Sequence, residues 1–245
     1  VDLLAPLIFP GLNNKSPLLT GFLFEQTKVS IGPSDERVFY GAMLKLGINI
    51  KHTKKWSGTY LLLPKLSSDL RRIRKSDFQL GGLALIKYSP TPNFNYRFGF
   101  YANSDLYAPM LVPIFGIYLL KNKWEITSAL PINCQVGYQV HPKLQLALRF
   151  DGINKSYLIN DDSNTYMEKV NNEVGALVRY AIGKIQIQLF GGYGIGRSFR
   201  TYMVGDRFDF ALSAIKINNN RTILNEDFRD GPVFRTSLTF RFPTN

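Results

Sequence analysis

Segments in which apolar and polar side chains alternate recur along this chain, and polar turns separate them. Residues 184–195 give an extended chain two different faces: Ile185, Ile187, Leu189, Gly191, Tyr193 and Ile195 share one, and Lys184, Gln186, Gln188, Phe190, Gly192 and Gly194 share the other. Successive side chains of a strand point to opposite sides of a sheet, so this pattern predicts a half-buried strand and not an amphipathic helix. The segments span about ten residues, which is long for a soluble strand and matches what a tilted strand needs to cross a bilayer.

The alternation and the turn residues together predict about twelve strands. These are Leu18–Ser30, Val38–Ile50, Trp56–Asp69, Ser76–Ser89, Phe94–Asp105, Val112–Lys121, Lys123–Leu130, Asn133–His141, Lys143–Gly152, Val170–Ala181, Lys184–Gly196 and Pro232–Phe242. An even number of antiparallel strands is typical of a closed single-chain bacterial barrel with both termini on the periplasmic side.

The connections between the predicted strands alternate in length. Those after the second, fourth, sixth, eighth and tenth strands are short, whereas most of the others are longer, including the predicted loop Ile153–Lys169 and the segment Arg197–Gly231. The exception is the Pro131-Ile132 link, which is brief on the predicted outer side. Short turns at one rim and long loops at the other are typical of outer-membrane barrels. The sequence therefore predicts an all-β fold, a closed antiparallel transmembrane β-barrel of about twelve strands.

The chain is predicted to form one barrel domain, residues 18–245, preceded by a periplasmic or plug segment, residues 1–17. Three prolines in this first segment, Pro6, Pro10 and Pro17, argue against a strand with ladder hydrogen bonds there. Within the last long connection, Arg200–Val204 and Phe208–Ile217 are predicted to extend the barrel wall above the membrane as a hairpin. The chain begins without a basic and apolar leader, so a signal peptide was removed or never existed, and the predicted location is the bacterial outer membrane after its removal.

The aromatic content fits this location. The 18 Phe and 13 Tyr residues are enough for girdles at both membrane boundaries, although an aromatic core of a soluble sandwich is an alternative. The longest apolar run, Tyr107–Leu120, is interrupted by Pro109 and Pro113 and is too short for a spanning helix.

A net charge of +12 raises the question of a nucleic-acid partner. No helix-turn-helix, zinc-finger or RNA-binding signature accompanies the charge, and the basic residues are spread along the chain, so nucleic acid is not expected. The densest cluster is Arg71, Arg72, Arg74 and Lys75. It is predicted either as a solvated loop or as a contact to lipopolysaccharide phosphate. The expected partners are therefore membrane lipid, lipopolysaccharide and other outer-membrane proteins.

If the more apolar face of each strand meets lipid, the other face lines the lumen. The titratable residues predicted there are Lys45, Lys87, Arg97, Glu125, Arg149, Asp151, Glu173, Arg179, Arg235 and Arg241. A charge facing hydrocarbon costs about 2–4 kcal/mol at the bilayer midplane, which motivates the inward placement. This set favours anions in a water-filled pore, or pairs across a narrow barrel and closes it. Inward glycines, among them Gly81, Gly137 and Gly194, are interpreted as relief of crowding or as room for a plug or ligand.

No constellation in the sequence predicts catalysis, a cofactor or a metal. The two histidines, His52 and His141, fall in predicted periplasmic turns, and nothing orients Ser57 against His52. The glycine run 191–196 lacks the helix of a phosphate-binding loop, and residues 160–164 lack the spacing of an EF-hand. A lone cysteine, Cys134, allows no internal disulfide and is expected to be a small packed residue.

Three stretches together resemble a family of uncharacterised outer-membrane β-barrels from Bacteroidetes. They are residues 56–60 leading to 64–69, residues 77–82, and the ending 234–242 with alternating Phe and polar residues. The resemblance implies a fold and a location and supplies no catalytic residues. The terminal strand also looks like the aromatic-ended signal of barrel assembly, although Pro243-Thr244-Asn245 follow Phe242.

Two hypotheses for function follow. The first is a passive channel for small anionic solutes, with the lumen arginines and lysines as selectivity residues. The second is a structural or accessory subunit of a larger outer-membrane complex, with a closed lumen. A lipid-modifying enzyme is a distant third.

Overall fold

A computed structural model describes residues 2–9, 17–30, 36–161, 164–212, 215–225 and 228–240. Within these residues the chain is all-β, with fifteen strands and a single 3₁₀ turn at Lys75–Asp77. The strands are β1 Asp2–Phe9, β2 Leu18–Ser30, β3 Glu36–Lys51, β4 Trp56–Ser68, β5 Phe78–Thr91, β6 Phe94–Ser104, β7 Pro109–Lys121, β8 Trp124–Ala129, β9 Asn133–His141, β10 Leu144–Ile159, β11 Thr165–Ile182, β12 Ile185–Met203, β13 Phe210–Leu212, β14 Ile215–Ile217 and β15 Gly231–Phe240. No helix in this part of the chain is long and apolar enough to cross a membrane.

The strands form one antiparallel meander from β1 to β12, and β15 pairs with β12. The β13–β14 hairpin lies beside β7, where Ala211 pairs with Met110. The far end of β10 meets β4 at Leu158 and Ser68, which closes a barrel of seven strands, β4 to β10. The all-β barrel predicted from the sequence is thus confirmed. The predicted ring of about twelve strands needs correction, because β10 runs past its predicted end and crosses to β4.

All twelve predicted strands are present, and three further strands were not among them. β1 lies in the segment where prolines argued against a ladder strand, and it pairs with β2 over eight residues. Since β1 begins the strand path, Pro6 can sit at an edge, where a missing N–H costs least. The predicted loop Ile153–Lys169 was also wrong: β10 and β11 pair through most of it. The predicted hairpin of Arg200–Val204 with Phe208–Ile217 is wrong: residues 200–203 belong to β12 and pair with β11, whereas β13 and β14 pair with each other.

The connections sort by length as the sequence predicts. At one end of the sheet, the short-turn end, successive strands are joined by residues 52–55, 92–93, 122–123, 142–143 and 183–184. Asn122 and Gly183 have φ of 56° and 57°, a conformation that Asn and Gly adopt at least cost. The opposite end, the long-loop end, carries residues 69–77, 105–108 and 204–230. The sorting is partial, because the links 130–132, 105–108 and 160–164 at this end have three, four and five residues.

Aromatic side chains gather at the short-turn end. Trp56 stacks near Tyr88, with ring centroids 4.6 Å apart, and meets Phe98 edge-on at 5.8 Å. Trp124 contacts Tyr138 at 4.9 Å. These residues stand at strand starts or ends, so they form part of a ring of aromatic groups around this rim.

The apolar core lies mainly at the long-loop end, not along the barrel axis. There the strands lose their alternation, and residues 156–159 of β10 and 165–168 of β11 are buried at every position. Tyr157, Ile159 and Met167 pack in one cluster with Phe39, whereas Leu158 and Tyr166 pack in another with Tyr107 and Phe208. A strand whose two faces are both covered carries apolar residues on both. The upper ends of β10–β12 with residues 105–108, 204–212 and 215–221 are called the cap below.

Arg221 is buried inside the cap and connects its parts by hydrogen bonds and cation–π contacts. Its side chain is fully buried and donates hydrogen bonds of 2.9 Å to Glu168 and 2.9 Å to the Tyr166 hydroxyl. Its guanidinium carbon lies 4.0 Å from the centre of the Tyr202 ring and 4.7 Å from that of Phe208, in cation–π contact. A buried charge needs this degree of pairing to be tolerated.

Tyr107 is a second polar group held within the cap. Burial, with the nearby carboxylates of Asp105 and Glu168, raises its pKa well above the ordinary value for tyrosine. The hydroxyl therefore stays protonated and donates to Asp105 at 3.2 Å. The hydrogen bond keeps the connection 105–108 against the rest of the cap.

Replacement of Arg221 tests the fastening. We expect Arg221→Ala to lower the free energy of unfolding of the cap by about 3 kcal/mol, because Glu168 is left buried with Lys216 as its remaining ionic partner. Chymotrypsin should then cleave the segment 204–230 faster, and hydrogen exchange at the Leu224 amide, which bonds to Thr201, should accelerate. Arg229→Ala, an exposed site in the same segment, is the control and should leave both rates unchanged.

Candidate functional site

The inner face of the sheet is polar, and it is built from the alternate positions of each strand. Strands outside the seven-strand ring share this face, since Glu25 of β2 and Arg235 of β15 both contact β10, and the space that the face surrounds is called the lumen below. Buried side chains facing it include Glu25, Gln79, Asn95, Asn103, Gln145, Asp151, Glu173 and Gln186. Their neighbours in sequence point outward, and there apolar side chains are exposed, up to 68% for Leu148 and 84% for Phe234. This is the reverse of the distribution in a soluble barrel. The predicted assignment of faces can therefore be followed residue by residue.

The middle of the lumen holds an ion-pair network, here called the central network. Arg149 and Arg235 both contact Asp151, at 2.8 Å and 3.3 Å, and Arg235 also pairs with Glu173. Asn171 donates to Glu173 at 2.8 Å. These residues come from β10, β11 and β15, so the sheet brings together four of the predicted lumen residues. Their charges neutralise one another.

Closer to the short-turn end, Gln145 donates to Glu125 at 2.8 Å and accepts a hydrogen bond of 2.5 Å from Arg179. Arg97 donates to Asn95 at 3.0 Å and lies over the Tyr118 ring. In each of these hydrogen bonds one partner is charged and the other is a neutral amide.

Two of the remaining predicted lumen residues form fewer polar contacts. Lys45 and Lys87 are half-buried and form no ion pair with the described residues, and Lys87 stands opposite Arg97 in register. Arg241 lies outside the described residues. These two lysines are the cations that could face a passing solute.

Glu25 is a buried acidic residue in the lumen, and it was not among the lumen residues predicted from the sequence. It pairs with Lys155 and accepts a 2.8 Å hydrogen bond from the Tyr157 hydroxyl, although both residues lie more than a hundred positions from it in the chain. Gly41 faces this carboxylate across the β2–β3 ladder, and a Cβ there would lie 2.7 Å from Glu25 Cγ. Crowding by a polar neighbour similarly explains Gly81 beside Asn103, Gly137 beside Gln145 and Gly194 beside Asn171.

Two cavities occupy the lumen. The smaller, about 290 Å³, adjoins the central network and carries four carboxylates and four cations in its wall: Asp2, Glu25, Asp151 and Glu173, and Arg149, Lys155, Lys169 and Arg235. The larger, about 590 Å³, lies beneath the cap and has a mainly apolar wall. The lumen is thus interrupted by paired charges and covered at one end by packed side chains.

The cap supplies further residues that the sequence did not point to. Asp105 accepts hydrogen bonds from Ser156 at 2.9 Å and from Asn103 at 2.6 Å, and it pairs with Lys65 at 3.1 Å. Lys216 approaches Glu168 to 2.7 Å. The partners in these contacts are 40 or more positions apart, apart from Asn103 and Asp105, so no short sequence motif indicates them.

The predicted lipopolysaccharide contacts form an exposed patch at the long-loop end. Arg71, Arg72 and Lys75 are exposed and Arg74 is half-buried, and the same loop exposes 66% of Ile73. Next to it, Phe78 is 61% exposed. The patch combines cationic and apolar groups on one surface.

A second basic region lies at the short-turn end. Its residues are exposed and all are lysines: Lys51, Lys54, Lys55, Lys121, Lys123, Lys143 and Lys184. The five turns at this rim contain no acidic residue. Much of the positive charge of the chain is therefore at its two ends and not in the lumen.

The remaining polar residues considered in the sequence analysis have hydrogen-bond partners within the chain or lie outside the described residues. His52 lies 3.2 Å from the Tyr60 hydroxyl, and His141 accepts a 3.4 Å hydrogen bond from the Lys143 amide. Asn160 is buried and donates to Asp77 at 3.0 Å, while residues 162–163 of the oxygen-rich loop lie outside the described residues. Cys134 is half-buried. The part of the chain that the structure describes holds no cluster of His, Cys, Asp or Glu fit for a metal.

The space that Gly41 leaves for Glu25 can be tested. Gly41→Ala should destabilise the barrel by about 1–3 kcal/mol, because the new methyl group displaces a buried carboxylate from its partners. Gly191→Ala is the matched control, since its Cβ would meet nothing closer than Phe234 at 3.8 Å. Urea unfolding of the refolded variants measures the difference, and equal midpoints for the two would contradict the packing described here.

Comparison with known proteins gives a family and no function. Residues 18–207 match the family described as Domain of unknown function (DUF6268). No curated protein and no solved structure matches the chain. The matched region begins with β2 and ends just beyond β12, so it holds the strands of the closed seven-strand barrel and most of the lumen side chains discussed above. Because this match covers well over half of its length, the chain belongs to the DUF6268 family.

Proposed function

We propose that this chain is a β-barrel protein of a bacterial outer membrane whose antiparallel strands span the bilayer. The exposed apolar outer face around a polar interior supports this location, because only an apolar surrounding makes such a face stable. Most of the strands in the wall are long enough to span, and β8 is the short exception: β3, β5, β7 and β10 have 16, 14, 13 and 16 residues, and β8 has 6.

The rims fit the same proposal. Aromatic groups and lysines gather at the short-turn end, as side chains at the level of lipid headgroups do. At the long-loop end, Arg71, Arg72, Arg74 and Lys75 with Ile73 suit a phosphate-bearing glycolipid, so lipopolysaccharide is the proposed partner there.

For the barrel's task, a closed lumen is the state that the geometry supports best. The observation that carries it is the cap, whose two apolar clusters cover the long-loop end, with the central network beneath it. A closed barrel does not conduct freely, so we propose a structural or accessory protein that engages other outer-membrane proteins through its loops or outer wall.

A passive channel for small solutes is the second candidate. The polar cavity beside the central network and the half-buried Lys45 and Lys87 favour it, if the cap opens. In that open state, changing Arg97, Arg149 and Arg235 to Glu should move the reversal potential toward cation preference.

Substitution on the outer face tests the membrane location. Leu148→Arg places a charge on the exposed apolar face of β10, four residues after the strand begins, and should destabilise the folded barrel in liposomes by about 2–4 kcal/mol. Leu224→Arg, at a side chain 48% exposed but in the connection 204–230, is the control and should cost much less. Urea titration in liposomes gives both values. Equal effects, or a wild-type chain that stays monodisperse without detergent, would contradict the location.

Conductance separates the two candidates. Wild-type protein reconstituted in planar bilayers should give no regular single-channel currents, because the cap and the central network block the lumen. Heat-modifiable migration on gels confirms in parallel that the reconstituted protein is folded. Regular currents from folded protein would favour the channel over the closed barrel.

A further inference from the structure

The larger cavity differs in chemistry from the lumen around it. Its wall includes the apolar side chains of Leu23, Met43 and Val112, whereas the smaller cavity, which adjoins it at Ile132 and Ile153, has a wall of mainly charged residues. At about 590 Å³ it is within the size range of small-molecule sites. An apolar space of this size inside a polar barrel gains little from water, because water needs polar partners. Its chemistry suits an apolar ligand.

The strands of the barrel wall are shortest beside this cavity. β8 and β9 have 6 and 9 residues, while their neighbours β7 and β10 have 13 and 16. The short link between β8 and β9 contributes Pro131 and Ile132 to the cavity wall. The link is held by a 2.8 Å hydrogen bond from the Ile132 amide to the Ala129 carbonyl. The cavity thus reaches the rim of the barrel at this link.

The charges of the cavity wall are unequal in sign. Four cationic residues line it, Lys65, Lys155, Arg200 and Lys216, against one acidic residue, Glu25. The carboxylates that pair with Lys65 and Lys216 belong to Asp105 and Glu168, which are buried and are not part of the wall. Each ammonium group has three N–H donors and keeps some of them after this ion pair, so a head group at the wall meets free donors of Lys65 and Lys216, and an anionic acceptor suits them.

We propose that this cavity binds a single-chain amphiphile with an anionic head group. The alkyl chain packs against Met43, Val112 and Ile132, and the head group lies near Lys65 and Lys216. Access is over the β8–β9 link. Only the access route rests on the proposed membrane location, since the cavity and its charges are properties of the chain itself.

The methionines provide the test. Met43 and Met110 line the cavity, whereas Met203 is 46% exposed and is not part of its wall. Protein labelled with ¹³C at the methionine methyl groups is placed in nanodiscs and titrated with hexadecanoate. We expect saturable chemical-shift changes at Met43 and Met110 and none at Met203. Absence of a saturable change at Met43 and Met110 in inserted, folded protein would overturn the proposal and leave the membrane location intact.

Two variants locate the binding. Ile132→Trp fills the cavity beside the proposed opening and should weaken hexadecanoate at least about tenfold. Should it fold poorly, Val112→Phe fills the same space with a smaller change. Leu148→Trp adds the same indole to the outer face and is the control, with unchanged affinity expected. Equal affinity in the cavity and control variants would show that the ligand binds elsewhere.

A change of head group tests the charge argument. Hexadecyltrimethylammonium has the same chain length and the opposite charge, and we expect no saturable shift at Met43 or Met110 at concentrations where hexadecanoate saturates. Equal binding of the two would overturn the anionic assignment. If the protein fails to enter nanodiscs, the proposed location is wrong, and the same titration in aqueous buffer still decides whether the cavity binds the amphiphile.

Discussion

Pairing of charges inside a wall that is apolar outside is the constraint on which this structure depends. An unpaired charge buried in a protein costs several kcal/mol, and its partner restores most of that only with good geometry. The chain meets the requirement by using residues from distant strands: Glu25 finds Lys155 and Tyr157, and Arg235 finds Asp151 and Glu173. Glycines such as Gly41 are part of the same solution, because a carboxylate on one strand occupies the space of the missing side chain on the next.

Stability is therefore distributed unevenly along the barrel axis. The wall is held by backbone ladders, whereas apolar packing is concentrated in the cap, where Tyr157 and Leu158 enter opposite clusters from adjacent positions. A barrel built in this way can lose its cap without losing its wall. Local opening of the long-loop end, with Arg221 as its internal fastening, would then have a lower free energy than global unfolding. The same arrangement leaves space between cap and central network, where the larger cavity lies.

The sequence predicted the wall well and the cap poorly, and one physical reason explains both. In the wall one face of each strand is apolar and the other polar, so Leu18–Ser30 and Asn133–His141 were predicted with their observed bounds. In residues 156–160 and 165–168 both faces are buried, the alternation disappears, and the sequence around them looks like a loop. The lumen network was predicted as a set of inward residues, but its pairs depend on register across strands. Glu25 and Arg221 gave no local signal at all.

The net charge of +12 takes a different meaning once its distribution is known. Around the central network, four acids offset four bases, so the total charge says little about the potential that a solute meets there. Exposed lysines instead surround the short-turn end, next to Trp56 and Trp124, and arginines stand at the long-loop end. Interactions between exposed charges decay within a Debye length, about 8 Å at physiological salt. The charges of each rim therefore attract only anionic groups close to that rim. Two basic rims separated by an apolar belt are the arrangement that two layers of anionic headgroups would select. In the wall of the larger cavity, cationic residues outnumber acidic ones. An anionic group bound there would lie next to apolar side chains.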